Sequence, residues 1–289
     1  MGELLNNMIY VVNYADGEPY ESYRKMNTRT AYWFAKADRV IEYSRKDIDK
    51  EYIDNHKEIF SYKRGAGLWL WKPYLIHKAL LSINEGDWLF YSDAGVTFIR
   101  SLKHLVRCAE ENHQDVFTIE QPMLCRQFTK RECYSLMRVE DHGENQALGL
   151  LLLLRKSDVS TRFVEEWLQL CENEELLSPN HFHPEIEEWP DYYAHREDQS
   201  ILSLLRTKWN MQSFRDCSDY GKMPYMYASK SYNYNPKEYP NSNYPTVILC
   251  NRKVHPVLYG MKYMLKTMLS SMGLYYTEEQ VLKSLKVKL

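Results

Sequence analysis

The sequence predicts an α/β fold, a mostly parallel sheet flanked by helices with a helical appendage at the C-terminal end. Three observations predict it. In the first fifty residues short apolar runs alternate with helical patterns, which is the order of a β-α-β unit. "DWLFYSD" is a buried strand that ends in polar residues, as strands do where an open α/β sheet meets its ligand. No repeat and no clean linker divides residues 1–256, which read as one unit, with 257–289 as a tail.

The elements follow in order. "MIYVV" reads as a strand, Tyr20 to Ala37 as a helix, "RVIEY" as a strand, and a further helix follows "SRKDIDK". Lys72 to Leu81 reads as a helix with Pro73 tolerated in its first turn. "DVFTIE" is a strand and "TKRECYSLM" a helix capped by Thr129. "ALGLLLLL" reads as one more buried strand, and "SDVSTRFVEEWLQLCENEELL" as a long amphipathic helix. "SPNHFHPEIEEWPDYYAH" has no period and is a loop; a helix from Arg196 to Thr207 follows, then an irregular stretch from Asp216 to Tyr244.

Composition sets bounds on function. The 37 basic and 39 acidic residues leave a net charge of -2, so no chain-wide field draws nucleic acid. Six scattered cysteines without a C-x-x-C pair read as reduced, mostly buried thiols in a cytoplasmic protein rather than a zinc site or disulfide framework. The N-terminal "MGELLNNMIYVV" lacks a signal-peptide pattern, and the longest apolar run is too short to span a bilayer. The final residues, "MKYMLKTMLSSMGLYY" and a capping box "TEEQ" at Thr277 to Gln280, read as a docked helix pair or, more sharply, as a basic amphipathic segment in peripheral contact with an anionic membrane.

Three stretches carry chemistry. In "GAGLWLWKPYLI" glycines permit a tight bend, Trp71 offers a flat wall, and Lys72 adds charge at a helix start where phosphate is already favoured. In "YSDAG" Asp93 is a carboxylate at a strand end and Gly95 admits close approach, a pairing that an ordinary turn also explains. One carboxylate can share Mg2+ with a diphosphate. In "HREDQSILSLL" Asp198 and Gln199 open a helix, where helix-dipole compensation is the plain alternative.

Taken together, these stretches resemble nucleotide-sugar glycosyltransferases of the GT-A class. The pattern is similar to glycogenin-like and lipopolysaccharide galactosyltransferase-like enzymes and to bacterial surface-glycan proteins with a "G-x-G-Y-W-x-W-K-P" signature. The resemblance spans about Ile9 to Leu205. It implies a GT-A-like domain that moves a hexosyl unit from a nucleoside diphosphate sugar to a hydroxyl of a glycan or lipid-linked glycan. It implies Lys72 and a Mn2+ or Mg2+ ion on Asp93 facing the diphosphate, with Tyr14 and Trp71 on base or ribose. A retaining enzyme would set Gln199 against the sugar with Asp198 orienting it; an inverting one would use Asp198 or His195 as base. Gly95 stands where many members have a second aspartate, and His255 is the candidate for a late metal-binding histidine, though its surroundings lack the usual spacing. The other reading is a catalytically inactive sugar-nucleotide or glycan-binding protein of the same fold. A nucleotidyltransferase is a third and weaker one, since no Gly-rich, basic N-terminal loop is evident.

Overall fold

The computed structural model describes residues 7–222, Tyr227, 235–251 and 254–274. Its centre is β1 (Ile9–Tyr14), a run of β-branched and aromatic residues suited to a strand covered on both faces. β1 pairs in parallel with β2 (Arg39–Tyr43) on one side and with β3 (Trp88–Ser92) on the other. Beyond β3 come β7 (Leu151–Arg155), β5 (Val116–Leu124) and β6 (Asn145–Ala147), and β8 (Ser213–Arg215) also pairs with β5. β7 and β6 run against the other strands of this sheet, so it is mixed, with most strands pointing one way.

Alternation along the strands builds two cores. Tyr10, Val12, Leu89 and Tyr91 face helices Trp71–Leu81, Asp158–Cys171 and Glu197–Lys208, contributing to one apolar cluster. Ile9, Val11, Trp88 and Phe90 share a second cluster with Ala31 and Ala35, which follow the helix Tyr20–Thr30, and with the apolar side of helix Lys103–Glu111. The period of two also decides what happens at the end of β3. Ser92 continues the face of Phe90, and Asp93 continues the face of Tyr91.

The structure changes several expected elements. "ALGLLLLL" is not one strand: it breaks at residues 148–150 between β6 and β7. Thr129 does not cap the following helix, whose first flanking residue is Lys130; the buried Thr129 hydroxyl contacts Cys125 Sγ instead. The long amphipathic helix ends at Cys171, and Asn173 caps a separate turn, Glu174–Leu177. The helix from Tyr20 keeps its α-helical pattern to Thr30 and widens into a π turn over Ala31–Ala35.

A small sheet of β4 (Thr97–Phe98) and β9 (Ile248–Leu249) carries the C-terminal helix Pro256–Ser271. Tyr263 seats that helix on Leu249, with Ile99 and Tyr259 beside it. The expected capping box at Thr277 lies outside the described residues. Among the described residues no helix is long and apolar enough to cross a membrane, and the six cysteines are buried and form no disulfide.

Candidate active site

The "GAGLW" stretch folds in an unusual way. Five consecutive residues, Gly65 to Trp69, have φ between 51° and 99°, a left-handed turn that L-residues ordinarily enter singly. Glycine is required at two of them: a Cβ on Gly65 would lie 2.2 Å from the Trp69 ring, and one on Gly67 2.7 Å from Phe60. Ala66, Leu68 and Trp69 take this conformation without that freedom, each at a cost on the order of 1–2 kcal/mol. Backbone bonds hold it, from Gly67 N–H to Tyr62 O at 2.9 Å and from Leu68 N–H to Arg64 O at 2.9 Å, and Leu68 is buried. Trp71 Nε1 donates to Gly65 O at 2.9 Å.

The turn is clamped to the "HREDQ" helix by two adjacent acids. Arg64 Nε donates to Glu197 Oε1 at 2.5 Å, and Lys72 Nζ lies 3.0 Å from Asp198 Oδ2. Glu197 itself has φ of 40°, so backbone strain sits on both sides of the clamp.

Lys72, expected to face the diphosphate, turns inward and is only 4% exposed. Its ammonium donates to Gly149 O at 3.0 Å, lies 3.9 Å from Asp93 Oδ1 and sits 5.5 Å from the centre of the Tyr91 ring. Burial pulls the Lys72 pKa down, but Asp198 and then Asp93 outweigh it and leave the pKa raised. Asp198 has the opposite balance. Burial pushes its carboxyl from 3.8 up to about 6, with Lys72 opposing.

Asp93 is the open member of this group, with its side chain 42% exposed. Tyr91 Oη donates to its Oδ1 at 2.7 Å, and its backbone N–H donates to Leu150 O at 3.1 Å. The turn that follows is fixed by Asn27, whose amide donates to Ser92 Oγ and to Val96 O, both at 3.0 Å; Gly95 lies inside that turn. Asn27 in turn accepts from buried Asn13 at 2.9 Å.

The break at Gly149 joins this charged group to a cleft of about 190 Å3. The Gly149 carbonyl serves Lys72, while the residues on either side, Leu148 and Leu150, line the cleft. A Cβ on Gly149 would lie 2.8 Å from Gln199 Cβ, so only glycine lets the two segments meet. Gln199 Nε2 donates to Ala147 O at 2.8 Å and to Gln146 Oε1 at 3.2 Å, and Gln121 donates to the same Gln146 oxygen at 2.7 Å. Among the described residues Arg196 is the charged side chain of the cleft lining, and it stacks over Phe128 at 5.4 Å.

The remaining expected residues lie elsewhere. Tyr14 and Trp71 stack on each other, ring centres 3.8 Å apart, so each occupies one face of its partner; burial, then Asp16, pushes the Tyr14 pKa up to about 12. His195 is buried outside the cleft lining, its Nδ1 accepting from Lys130 N–H at 3.4 Å, and burial followed by the Lys130 charge holds its pKa down near 3. A buried imidazole kept neutral in this way is core material rather than a base facing the cleft. His255 is exposed at the start of the C-terminal helix, with no hydrogen bond or ion pair to Asp93 among the described residues. No group of three or more His, Cys, Asp or Glu side chains gathers among the described residues as an ion site needs. Asp93 therefore supplies a single open carboxylate with an ammonium already beside it, a donor set that does not by itself make a seat for Mn2+ or Mg2+.

Sequence reading missed Arg196, Gln121, Gln146 and Gly149, and took Glu197 only as compensation of the helix dipole. Arg196 and Glu197 adjoin Asp198 and were within reach. Gln121 and Gln146 come from β5 and β6, and no local pattern links them.

No family model matches the sequence, and no curated protein matches it. Among solved structures, the chain is similar to mouse xyloside xylosyltransferase 1 in its apo form, with TM-score 0.46 and 10% identity over 86% of this chain and 100% of that one. It is also similar to galactosyltransferase LgtC in complex with donor and acceptor sugar analogues, with TM-score 0.47 and 14% identity over 93% of this chain and 98% of that one.

Proposed function

We propose that this chain is a GT-A-type glycosyltransferase that moves a hexosyl unit from a nucleoside diphosphate sugar to a hydroxyl of a glycan or lipid-linked glycan. One observation carries the reading: Lys72, Asp93 and Asp198 converge at the carboxyl end of β3, beside a cleft walled by Gln199. That is where an open α/β sheet binds its ligand.

The residues divide the work differently from the sequence expectation. Lys72 is a positioning residue that holds two carboxylates in place. Among the described residues the cation of the cleft lining that meets the donor diphosphate is Arg196, whose planar guanidinium suits phosphate oxygens. Gln199 spends its amide N–H groups on Ala147 and Gln146, so its carbonyl oxygen is the atom turned over to a sugar hydroxyl. Asp93, open and hydrogen-bonded by Tyr91, takes a second polar contact on the sugar or diphosphate. Because the described residues do not make a metal seat, no step here runs through a metal.

The test is release of nucleoside diphosphate from a panel of nucleoside diphosphate sugars, with and without Mn2+, in the presence of glycan acceptors. Turnover that falls in Arg196→Ala supports the reading. Donor binding without turnover makes the chain a sugar-nucleotide-binding protein, and conversion of the nucleoside diphosphate sugar with added pyrophosphate to a nucleoside triphosphate and a sugar 1-phosphate makes it a nucleotidyltransferase.

A further inference from the structure

The helix Pro256–Ser271 shows a broad apolar face that nothing among the described residues covers. Val257, Met261, Met264, Leu265, Met268 and Met272 recur at steps of three and four along it, each between 52% and 63% exposed. Tyr263, on the opposite side, is buried and fastens the helix to Leu249. Tyr259 adds a hydrogen bond from its hydroxyl to the buried Asp219 carboxylate. The helix is thus anchored along its polar and aromatic side with its methionines turned outward. An ordinary surface helix has this the other way round.

Charge identifies the occupant. From Val254 to Leu274 the sequence contains Lys262 and Lys266 and no Asp or Glu. Two copies meeting through this face would bring like charges together, since the facing helix would carry lysines and no acid. An anionic lipid surface answers both features: the acyl boundary takes the Met and Leu side chains, and the exposed Lys262 on the flank reaches the headgroups. We propose that the helix Pro256–Ser271 lays this face in the plane of an anionic membrane and holds the protein there. This docking is independent of the transfer reaction and requires no membrane-spanning segment.

The experiment is flotation of the full chain with vesicles of phosphatidylcholine alone and of an equal mixture of phosphatidylcholine and phosphatidylglycerol. The wild type should float with the anionic vesicles and less with the neutral ones, and added salt should weaken binding. Leu265→Ser combined with Met268→Ser should cut vesicle binding at least about tenfold, since two apolar side chains leave the lipid boundary. Both positions are exposed, so circular dichroism and thermal melting should match the wild type. Lys262→Glu should weaken binding to the anionic vesicles and leave binding to neutral ones unchanged. The proposal is overturned if the wild type ignores both vesicles, if the double variant binds as well as the wild type, or if the chain is a dimer that the double variant dissociates. It is equally overturned if binding emerges only after residues 275–289 are removed, because the chain's own end would then be the cover. None of these readouts depends on sugar transfer.

Discussion

Lys72 Nζ lies 3.0 Å from Asp198 Oδ2, and this buried pair ties the tryptophan-rich turn to the helix that carries Gln199. With both side chains nearly fully buried, neither charge can be answered by water if the other is removed.

Lys72→Ala should therefore destabilise the fold by about 3–5 kcal/mol, as loss of one partner of a buried pair does. The sequence resemblance implied a lysine facing the diphosphate rather than one paired in the core. Urea unfolding of the two proteins decides between these outcomes, and near-equal midpoints would mean that the pair contributes little.

Stability should depend on pH through Asp198. Its folded pKa is raised from 3.8 to about 6, so across that window the folded chain retains a proton that the unfolded chain has released. Stability falls as pH rises through the window, and the cost is fully present above it. Asp198→Asn cannot titrate. Relative to that variant the wild type should lose on the order of 2–3 kcal/mol between the acid and neutral ends. Parallel curves of unfolding free energy against pH would exclude the shift.

Asp93→Asn should fold normally and lose turnover by about two to three orders of magnitude, the scale for removing one preorganised electrostatic group. Its side chain is 42% exposed, so its contribution to stability is small. Turnover at the wild-type rate would reduce "YSDAG" to a turn.

Gly149→Ala tests whether the break between β6 and β7 positions the site. The new methyl group would press on Gln199 Cβ and Cγ, at 2.8 and 3.0 Å. A displacement of this kind should lower kcat by about 10- to 100-fold. A fall in kcat at constant Tm would show that the methyl group moves Gln199 without loosening the fold, whereas unchanged kcat would remove Gln199 from the reaction.

Gly65→Ala should cost about 1–3 kcal/mol or more, because alanine meets both a positive φ and the Trp69 ring. Thermal unfolding followed by tryptophan fluorescence measures it. A Tm within about a degree of wild type would mean that the left-handed turn relaxes freely.

Local pattern was enough to specify the main elements and the ends at which chemistry collects. Alternation of apolar runs and helical periods marked out β1, β2 and β3; β1 and β3, buried on both faces, are apolar along nearly their whole length, whereas β2 at the sheet edge is only partly buried. The polar exit of β3 at Asp93 and the helix opening at Asp198-Gln199 were legible for the same local reason. Packing between distant segments settled which side of the surface each group occupies. Nothing local tells that Lys72 turns inward to Gly149 and Asp198, that His195 is sealed beside Lys130, or that Tyr14 and Trp71 spend their faces on each other. Each of those partners lies on a different element from the residue it meets. The break at Gly149 was hidden for a related reason: a string of leucines satisfies the pattern of one strand, and Gln199, whose close approach requires glycine there, is distant in sequence.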